Sequence, residues 1–572
     1  QKKDGAYYTP SYISKYICQN TIIPYLSKSN ATTISDLISE YEHDLEELES
    51  KIHDIKILDP ACGTGEFLIR AIDILLEISK QIQRKKELQG KYQTVDSTSR
   101  KAPRSLKKKK SDLTTFQTFD KDIENQQLRT IIQNNIHGVD INEEAIEITQ
   151  LNLFLKLSTS SQQLIDLSKN ILIGNALVDD PSVDSKAFDW ESEFGELLDP
   201  KIRDSGFDII VGNPPYIRVQ YLEHEHIDWF KKNKETAIGK IDASGMFFEL
   251  GKKFLKKNGI MSYITSNQFQ VADYGKKTRP FLLREFRILE IIDFGDKQPF
   301  ENATTYVSIY RLQNTAPQNF KYLEVTNNDL EKFFDKKKFV EIDIEKLSSE
   351  PWVLGSDKAL KLIEKIKSNH KKIGEIGNAS TGLITGKDGI LKLKNDKIKN
   401  EGLELDCLLP TLVSKDVKRY MPVKPTTHVI YPYLIENDKN ILILESELKK
   451  YPNIFKYLSK NKSNLIKRKD SRELFPKEKW FGLVRPGQLN NFKKEKIITP
   501  GESKEHKFTL DKTGSGFFFA RVSSILIDDP NYDLKYVLGV MNTKVIRFFL
   551  QKTAPKKENG FFSYTNKFLN DV

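Results

Sequence analysis

Cysteine and long apolar runs are scarce in this sequence, and each absence excludes a class of protein. The 572 residues include only three cysteines, Cys18, Cys62 and Cys407. Three thiols can build neither a disulfide-rich scaffold nor a zinc site with four cysteine ligands. No run of about 18 uninterrupted apolar residues occurs, so no membrane-spanning helix is predicted. The sequence also lacks a signal-peptide pattern, and we therefore expect a soluble, cytoplasmic protein.

A strong excess of one charge is missing as well. Lys and Arg number 90 and Asp and Glu number 79, which gives a formal net charge of +11. Such a moderate positive charge permits a polyanionic partner without requiring one. Hydrophobic residues make up 38% and aromatic residues 10% of the chain, which excludes wholesale disorder. The first residue is Gln rather than Met, so we expect the sequence to belong to a longer product.

Short apolar runs alternate with helical patterns over residues 1–315. The runs that have the length and composition of strands are 56–59, 136–140, 170–173, 207–211, 260–264, 288–293 and 304–310. Strands that alternate with helices predict an α/β fold with a mostly parallel sheet. Only residues 296–303 separate the last two runs, which is too short for a helical crossover. The last strand is therefore predicted to be antiparallel.

Two helices of this region can be placed from their apolar periodicity. The first is predicted from about Glu66 to Gln83, directly after the first strand. The second follows the strand at 136–140. Its apolar residues Ala145, Ile148, Leu151 and Leu155 share one face, and we expect that face to pack on the sheet.

Three polar segments divide the chain. Residues 85–114 carry the run Lys107–Lys110 and are predicted to be an insertion, either a solvated loop or a contact with phosphates. Residues 179–205 are predicted to be an acidic loop. Residues 316–350 are expected to be a linker between a domain at 1–315 and a second domain at 351–572 of mixed α+β structure, because the regular alternation stops there.

A glycine-rich turn follows the first strand. It reads Asp59-Pro-Ala-Cys-Gly-Thr-Gly-Glu-Phe67, and it leads into the first predicted helix. Glycines there let the backbone approach a ligand, although such turns also occur for packing reasons. Asp140 ends the second strand, where an acid can accept hydrogen bonds from a ribose or cap the next helix. Together the two features indicate a nucleoside cofactor.

The most specific motif is Asn213-Pro-Pro-Tyr216, which directly follows the fourth strand. Two prolines fix the backbone and remove two amide donors. The acceptors that remain, the Asn213 side-chain oxygen and the Pro214 carbonyl, suit a planar group that bears an amino group. The alternative is a tight turn that ends a strand.

With these motifs, residues 1–315 resemble the S-adenosylmethionine-dependent amino-group DNA methyltransferases of the gamma class, with adenine-N6 specificity expected. The segment Gly5–Pro10 resembles the family's motif ten, Asp59–Phe67 its motif one, and Asn213–Tyr216 its catalytic motif four. The resemblance implies a seven-stranded methyltransferase fold with one antiparallel strand, duplex DNA as the partner, and no metal.

The resemblance also assigns roles to individual residues. It implies catalytic roles for Asn213, Pro214, Pro215, Tyr216 and Phe300, and cofactor binding by Tyr8, Thr9, Pro10, Asp59, Ala61, Gly63, Gly65, Phe67, Asp140, Ile141, Asn175 and Ala176. The family often has Asp where this chain has Asn175. Tyr216 and Phe300 are expected to sandwich a base that has been turned out of the duplex.

The second domain resembles the target-recognition domain of type IIG restriction–modification enzymes. The segments that carry this resemblance are 382–386, 412–417, 480–486 and 538–544. Nuclease domains precede the methyltransferase in many enzymes of that family, so the resemblance is compatible with a nuclease domain or subunit outside this sequence, which the sequence itself does not decide. A basic run comprises Lys456, Lys460, Lys462, Lys467, Arg468 and Lys469, and it is expected either to hold DNA phosphates or to be a solvated helix face.

Several alternatives remain open at this level. The same amino-group chemistry serves cytosine-N4 methyltransferases, and proteins that methylate RNA or glutamine side chains share the Asn-Pro-Pro-Tyr motif. A DNA-binding subunit without catalysis would be expected to lose Asn213 or the glycines, and this chain keeps them. His224 and His226 could bind a metal, but an exposed polar helix start is the simpler interpretation. Cys62 has no partner pattern for a nucleophile.

Overall fold

The structure is a computed structural model of the chain. It describes residues 8–96, 124–157, 165–199, 201–202, 204–216, 224–239, 241–300, 305–326, 338–368, 370–436, 439–468, 479–487, 489–512, 517–518, 521–554, 556–557 and 560–572. The chain divides into two compact units, Gln1–Asp357 and Lys358–Val572. Within the described residues, no helix combines the length and the apolar character needed to cross a membrane.

The first unit alternates strands and helices. Its strands are β1 (Ile57–Asp59), β2 (Ile136–Asp140), β3 (Ile171–Ile173), β4 (Phe207–Gly212), β5 (Leu255–Ser266), β6 (Arg287–Asp293), β7 (Val307–Gln313), β8 (Phe320–Glu324) and β9 (Val340–Ile342). Its helices are α1 (Ser11–Leu26), α2 (Ile34–Glu40), α3 (Leu45–Asp54), α4 (Glu66–Asp96), α5 (Glu143–Leu157), α6 (Trp190–Leu198), α7 (His224–Asn233), α8 (Ala243–Phe254) and α9 (Thr278–Glu285).

All nine strands form one sheet in the order β3-β2-β1-β4-β5-β7-β6-β8-β9. Strands β1 to β5 pair in parallel, and β7 is antiparallel to both β5 and β6. The α/β fold with a mostly parallel sheet and a late antiparallel strand is therefore confirmed. It arises because buried β-branched runs of four to six residues are separated by connections long enough for helices.

Successive side chains of the central strands pack on opposite faces of the sheet. Ile57 and Ile209 belong to the core on the side of α1 to α4, whereas Leu58 and Ile210 belong to the core that includes α6 and α8. The sheet is thus covered on both faces, as expected for parallel strands.

The predicted linker at 316–350 is wrong. Residues 320–324 form β8, which pairs in parallel with β6, and residues 340–342 form β9, antiparallel to β8. Both strands carry buried aromatic or apolar side chains, such as Phe320 and Ile342. This segment extends the first sheet because its apolar residues, although few, alternate with polar ones.

Two further expectations for the first unit need correction. Helix α4 does not end at Gln83 but continues to Asp96, so the first part of the predicted insertion at 85–114 is helical. The remainder, with Lys107–Lys110, lies outside the described residues. The predicted acidic loop at 179–205 contains helix α6, which begins after Asp189 and buries Trp190 and Phe194.

The apolar face predicted for α5 is not the face that packs on the sheet. Ile148, Leu151 and Leu155 are exposed, whereas Ile146 and Leu153 are buried. Helix α5 is apolar on more than one face, and periodicity alone does not choose between two such faces.

Helix α1 is fastened to the sheet by a buried polar cluster. Tyr16 donates a hydrogen bond to Glu290 Oε1 of β6 at 2.9 Å, and Arg311 of β7 donates to Glu290 Oε2 at 3.2 Å. Arg311 also donates to the carbonyl of Asn20 at 3.0 Å. Because these partners lie inside the protein, the cluster fixes where the chain enters α1.

The second unit is built from smaller sheets. Its strands are β10 (Gly377–Thr381), β11 (Lys392–Leu393), β12 (Leu408–Leu412), β13 (Thr427–Ile430), β14 (Tyr433–Glu436), β15 (Lys439–Leu442), β16 (Lys496–Pro500), β17 (Glu502–Ser503), β18 (Thr509–Asp511), β19 (Phe517–Phe518), β20 (Val522–Ile527), β21 (Lys556–Lys557) and β22 (Phe561–Ser563). They form sheets in the orders β10-β20-β16-β18, β11-β13-β12-β19, β14-β15 and β17-β22-β21.

Helices of the second unit are short. They are α10 (Asp357–Lys367), α11 (Ile373–Ile376), α12 (Asp388–Leu391), α13 (Asn395–Glu401), α14 (Glu445–Leu448), α15 (Pro452–Lys460), α16 (Lys462–Ile466), α17 (Leu489–Lys493), α18 (Leu534–Met541), α19 (Lys544–Thr553) and α20 (Asn566–Asn570). The mixed α+β composition expected for this part of the chain is present.

The structure corrects the interpretation of the basic run near α16. Arg468 is only 3% exposed, and its guanidinium donates to the carbonyls of Leu465, Thr385, Gly482 and Trp480. These four carbonyls accept four of its five N–H donors inside the protein, and the buried Arg468 does not face DNA phosphates. Lys462 lies over the Trp480 ring at 4.7 Å, and Lys469 is outside the described residues.

A buried histidine makes the stability of the first unit depend on pH. Burial lowers the pKa of His137, in β2, to about 4. Its ring packs edge-on against Phe194 and Phe207. The folded state keeps the ring neutral, whereas the unfolded chain takes up a proton below pH about 6.5. Stability is therefore lost as the pH falls from about 6.5 towards 4.

We predict that His137→Phe removes this part of the pH dependence. The loss in the natural protein amounts to at most about 3 kcal/mol at pH 4. Denaturant unfolding of both proteins between pH 7 and pH 4 measures it. The stability difference between variant and natural protein should shift in favour of the variant on acidification, and a difference independent of pH would contradict the prediction.

Candidate active site

The residues predicted to carry chemistry meet at one edge of the sheet. Asp59 is the last residue of β1, Asp140 is the last of β2, and Asn213 follows the last residue of β4. These three strands are parallel neighbours, so their carboxyl ends share one edge. That edge is where open α/β sheets bind ligands.

The glycine turn after β1 is held against the end of β2. Asp140 Oδ2 accepts a hydrogen bond from the Gly63 amide at 2.8 Å, and Asp140 Oδ1 accepts one from the Asn142 amide at 2.9 Å. Burial raises the pKa of Asp140, while these backbone donors oppose the rise. The helix cap is Asn142, whose carbonyl accepts the Ile146 amide at 3.1 Å. Asp140 thus orders the turn and does not cap α5.

Gly63 and Gly65 both adopt conformations that favour glycine. Their φ angles are +53° and +84°. A side chain at Gly65 would lie 2.8 Å from Thr149 Cγ2, whereas nothing lies within 4 Å of one built at Gly63. Gly65 therefore allows close packing against α5, and Gly63 leaves open space beside Asp140.

Sequence reasoning missed two residues of α5 that fix this turn. Thr149 donates to the Gly63 carbonyl at 2.8 Å, and Asn152 donates to the Thr64 carbonyl at 3.2 Å. Their spacing of three residues places them on one side of the helix. The available signal was a pair of uncharged polar residues, three apart, among the leucines of this helix.

Asp59 is fully buried at the base of the turn. Its Oδ1 accepts the Ala61 amide at 3.1 Å, and its Oδ2 has no hydrogen-bond partner among the described residues. Burial raises the pKa of this carboxyl well above its usual value. A side chain at Gly212 would lie 2.6 Å from Asp59 Oδ1, so glycine at the end of β4 lets the carboxyl fit there.

The segment before α1 contacts both the glycine turn and the catalytic motif. Tyr8 is exposed, and its hydroxyl donates to Glu66 Oε2 at 3.4 Å. Thr9 is buried, and its hydroxyl oxygen accepts a hydrogen bond from Asn213 Nδ2 at 3.0 Å. Pro10 precedes α1, and its carbonyl accepts the Ile13 amide at 2.9 Å.

Two hydroxyl groups fix the orientation of the Asn213 amide. Its Nδ2 faces Thr9, and its Oδ1 accepts a hydrogen bond from the Tyr216 hydroxyl at 2.6 Å. An amide oxygen has two lone pairs and can accept two donors. Pro214 is buried, and Pro215 is half-buried beside it. The motif is thus a rigid group of acceptors.

The aromatic pair has a geometry that differs from the expected sandwich. The Tyr216 and Phe300 ring centroids are 6.0 Å apart with planes inclined by 52°, which is direct contact between the rings. Phe300 is buried at 3% exposure. A base can enter between them only if the rings separate.

The remaining predicted cofactor residues differ in their surroundings. Ile141 is exposed beside Asp140, and Ala61 is half-buried in the turn. Phe67 and Ala176 lie in the hydrophobic cores. Asn175 Nδ2 donates to Asp184 Oδ2 at 2.7 Å, and its Oδ1 accepts the Leu177 amide at 3.1 Å. Its side chain is therefore engaged in ordering its own loop.

The other reactive side chains have ordinary partners. His226 Nε2 lies 3.3 Å from Asp184 Oδ2, and His224 is exposed at the start of α7. In the part of the chain that the structure describes, no cluster of three or more His, Cys, Asp or Glu could hold a metal ion. Burial raises the pKa of the Cys62 thiol well above its usual value, which disfavours a nucleophilic thiolate.

The sheet order, with its antiparallel β7, and the turn between β1 and α4 define the fold of S-adenosylmethionine-dependent methyltransferases. More specifically, residues 134–300 match the model of the Eco57I restriction-modification methylase family, and residues 409–572 match the TaqI-like C-terminal specificity domain. The chain therefore contains one segment that matches each of these two families, and the resemblance inferred from its motifs is confirmed.

Curated relatives are restriction–modification proteins. The chain is 26% identical over 595 residues to the type II restriction enzyme and methyltransferase RM.Eco57I of Escherichia coli, covering 95% of this chain and 54% of the relative. It is 23% identical to the type II methyltransferase M.BanIII of Aneurinibacillus aneurinilyticus, covering 95% of this chain and 84% of the relative. The chain thus spans about half the length of RM.Eco57I.

A solved structure supports the fold. The Type IIL restriction-modification enzyme MmeI in complex with DNA superposes with a TM-score of 0.66 and 13% sequence identity, covering 99% of this chain and 67% of that one.

The residues present fit S-adenosylmethionine, the cofactor of this family. Its ribose carries hydroxyl donors that suit the Asp140 carboxylate, and its ammonium group suits the buried Asp59 Oδ2, which has no partner among the described residues. The open space beside Gly63 adjoins Asp140, which accepts the Gly63 amide. Bound there, S-adenosylmethionine supplies an electrophilic methyl group on a sulfonium centre.

We predict that Asp140→Ala weakens S-adenosylmethionine binding by about 1.5–3 kcal/mol, the range for hydrogen bonds to a charged group. Asn142→Ala is the matched control, because it removes the helix cap and leaves the carboxylate in place. Calorimetric titration of both variants measures the effect. An equal loss in Asn142→Ala would mean that the start of α5, and not the carboxylate, determines the affinity, and unchanged affinity in Asp140→Ala would contradict the ribose contact.

Proposed function

We propose that the chain is a DNA methyltransferase that transfers a methyl group from S-adenosylmethionine to the N6 amino group of adenine within a short recognition sequence. The observation that carries this proposal is the Asn213 amide, held between the hydroxyls of Thr9 and Tyr216 beside the cofactor turn. The family membership of the two segments supports DNA as the substrate.

The chemistry requires acceptors rather than a general base. The lone pair of an exocyclic amino group is delocalised into the ring, which makes the nitrogen a poor nucleophile. Asn213 Oδ1 and the Pro214 carbonyl accept its two N–H groups, which draws the nitrogen towards tetrahedral geometry. Positive charge develops on nitrogen in the transition state, where preorganised oxygen dipoles stabilise it.

The target base must leave the duplex to reach this site. An amino group paired within the helix is inaccessible, so the base is turned out towards the carboxyl edge of the sheet. Tyr216 and Phe300 supply aromatic faces for it, each stack contributing about 1–3 kcal/mol. Separation of their rings accompanies base entry, because in the free protein the two rings contact each other.

We infer that the two compact units have different functions. The first, with the complete sheet and Asn213, carries methyl transfer, and the second, which contains the specificity segment, recognises the target. RM.Eco57I is named as both restriction enzyme and methyltransferase, and the chain covers 54% of it. We therefore propose that a nuclease domain or subunit acts with this chain on DNA in the cytoplasm of a prokaryotic cell.

The test is to incubate the full chain with isotopically labelled S-adenosylmethionine and genomic DNA, digest the DNA to nucleosides and sequence the modified sites. The proposal requires label in N6-methyladenine at one sequence context. Label in N4-methylcytosine would support the second candidate, which the same acceptors permit. Absence of label from the DNA would overturn DNA as the substrate.

We predict that Asn213→Ala lowers the single-turnover methylation rate by about 100-fold or more, the loss expected for one oxyanion-type contact. The affinity for S-adenosylmethionine should change little, because the cofactor turn is ordered by Asp140 and Thr149, which this substitution leaves in place. Rapid-quench measurements at saturating cofactor and DNA give the rate. A near-normal rate would remove Asn213 from the mechanism.

A separate prediction concerns Thr9 as a positioning residue. Thr9→Val keeps the buried shape but removes the acceptor of Asn213 Nδ2, so kcat should fall about tenfold, the equivalent of one neutral hydrogen bond. Thr9→Ser should restore the rate. Cofactor affinity and melting temperature serve as controls. A role limited to cofactor binding would instead raise KM for S-adenosylmethionine and leave kcat unchanged.

A further inference from the structure

A basic loop of the second unit connects two paired strands. Residues 414–426, called the basic loop below, connect β12 to β13, which are antiparallel neighbours. The loop contains four cations and one acid. The cations Lys415, Lys418, Arg419 and Lys424 are all exposed. Such a density of positive charge on a short connection indicates a surface for an anion.

The single acid of the loop is directed inward. Asp416 accepts the Thr426 hydroxyl at 2.8 and 3.0 Å, and its Oδ2 accepts the Val413 amide at 3.0 Å. Through Asp416, these bonds link the two ends of the basic loop. The Asp416 carboxylate is already engaged in these local hydrogen bonds, so it competes little with an external anion for the lysines of the loop.

The tip of the basic loop is anchored in an uncommon conformation. Tyr420 has φ +56°, a left-handed conformation that is rare for an aromatic residue. Its amide donates to the Phe508 carbonyl at 3.2 Å, and Thr509 donates to the Met421 carbonyl at 2.5 Å. Arg419 donates to the Asn542 carbonyl at 2.5 Å. Such strain persists only where the surroundings enforce it, and it concentrates at functional sites.

Further cations lie next to the basic loop. Ser414 donates to the carbonyl of Arg521, whose side chain is exposed. Burial, together with the positive charges of Arg419 and Arg547, lowers the pKa of the neighbouring His506 to about 4. Glu505, an acid next to His506, lies 3.4 Å from Lys507. The positive field therefore extends beyond the loop itself.

We propose that the basic loop binds the sugar–phosphate backbone of duplex DNA, independently of base sequence, and sets the register in which the second unit reads its target. This inference rests on the proposed DNA substrate. Lysine ammonium groups on flexible stems act as point charges for phosphates. The fixed backbone at Tyr420 holds them in place, so that phosphate contacts position the protein while other side chains specify bases.

The structure favours this loop over the basic run that the sequence singled out. In that run Arg468 is buried and Lys462 lies over Trp480. Lys456, Lys460 and Lys467 of that run are exposed, whereas in the basic loop all four cations are exposed, with Arg419 also bonded to the Asn542 carbonyl.

The test compares three triple variants of the full chain, each of which removes the same net charge. The first is Lys415→Gln, Lys418→Gln and Lys424→Gln. The matched control is Lys361→Gln, Lys365→Gln and Lys367→Gln on α10, where the lysines are also exposed. The third is Lys456→Gln, Lys460→Gln and Lys467→Gln. Binding to a mixed-sequence 30-base-pair duplex is measured at several salt concentrations, with S-adenosylhomocysteine present.

The first variant should lose about 0.9 in the slope of log affinity against log salt for each lysine, about 2.7 in all. The α10 control should keep the slope of the natural protein. An unchanged slope in the first variant, an equal change in the control, or a larger change in the third variant would overturn the inference. Absence of any duplex binding by the natural chain would instead contradict the proposed function.

Discussion

The hydrogen bond between Asn213 and Thr9 joins two parts of the chain that are 204 residues apart in sequence. It determines which way the Asn213 amide points, and therefore where its oxygen lies. Thr9 is held because Tyr16, on the helix that follows, is bonded to Glu290 in the sheet. The orientation of the Asn213 amide thus depends on how the amino-terminal helix is held, a constraint that neither motif reveals alone.

The cofactor turn is likewise held by hydrogen bonds from distant parts of the chain. Asp140 accepts the Gly63 amide from one side, and Thr149 donates to the Gly63 carbonyl from the other. The amide and the carbonyl of Gly63 are thereby both fixed before any ligand binds. Preorganisation of this kind lowers the entropic cost of binding, because the protein does not have to order the turn. The cofactor turn and Asn213 lie at one edge because β1 and β4 are adjacent and parallel.

Sequence reasoning located the seven strands of the methyltransferase core because buried parallel strands are continuous apolar runs. The Asn-Pro-Pro-Tyr motif could be placed because it follows such a run. Features that depend on tertiary contacts could not be predicted from the sequence. The burial of Arg468 depends on four carbonyls, two of which belong to Thr385 and Gly482. Likewise β8 depends on a partner strand, β6, and the side-chain bonds of Asn175 depend on its local loop. Composition and periodicity carry no information about these partners.

A structure of the full chain with S-adenosylhomocysteine and its cognate duplex tests the central claim most directly. The account predicts that the target base is turned out of the helix, with its amino nitrogen within hydrogen-bond distance of both Asn213 Oδ1 and the Pro214 carbonyl. Asn213 Nδ2 should remain bonded to Thr9, and the rings of Tyr216 and Phe300 should separate around the base. A target base bound elsewhere, or an Asn213 amide that turns its nitrogen towards the base, would contradict the account.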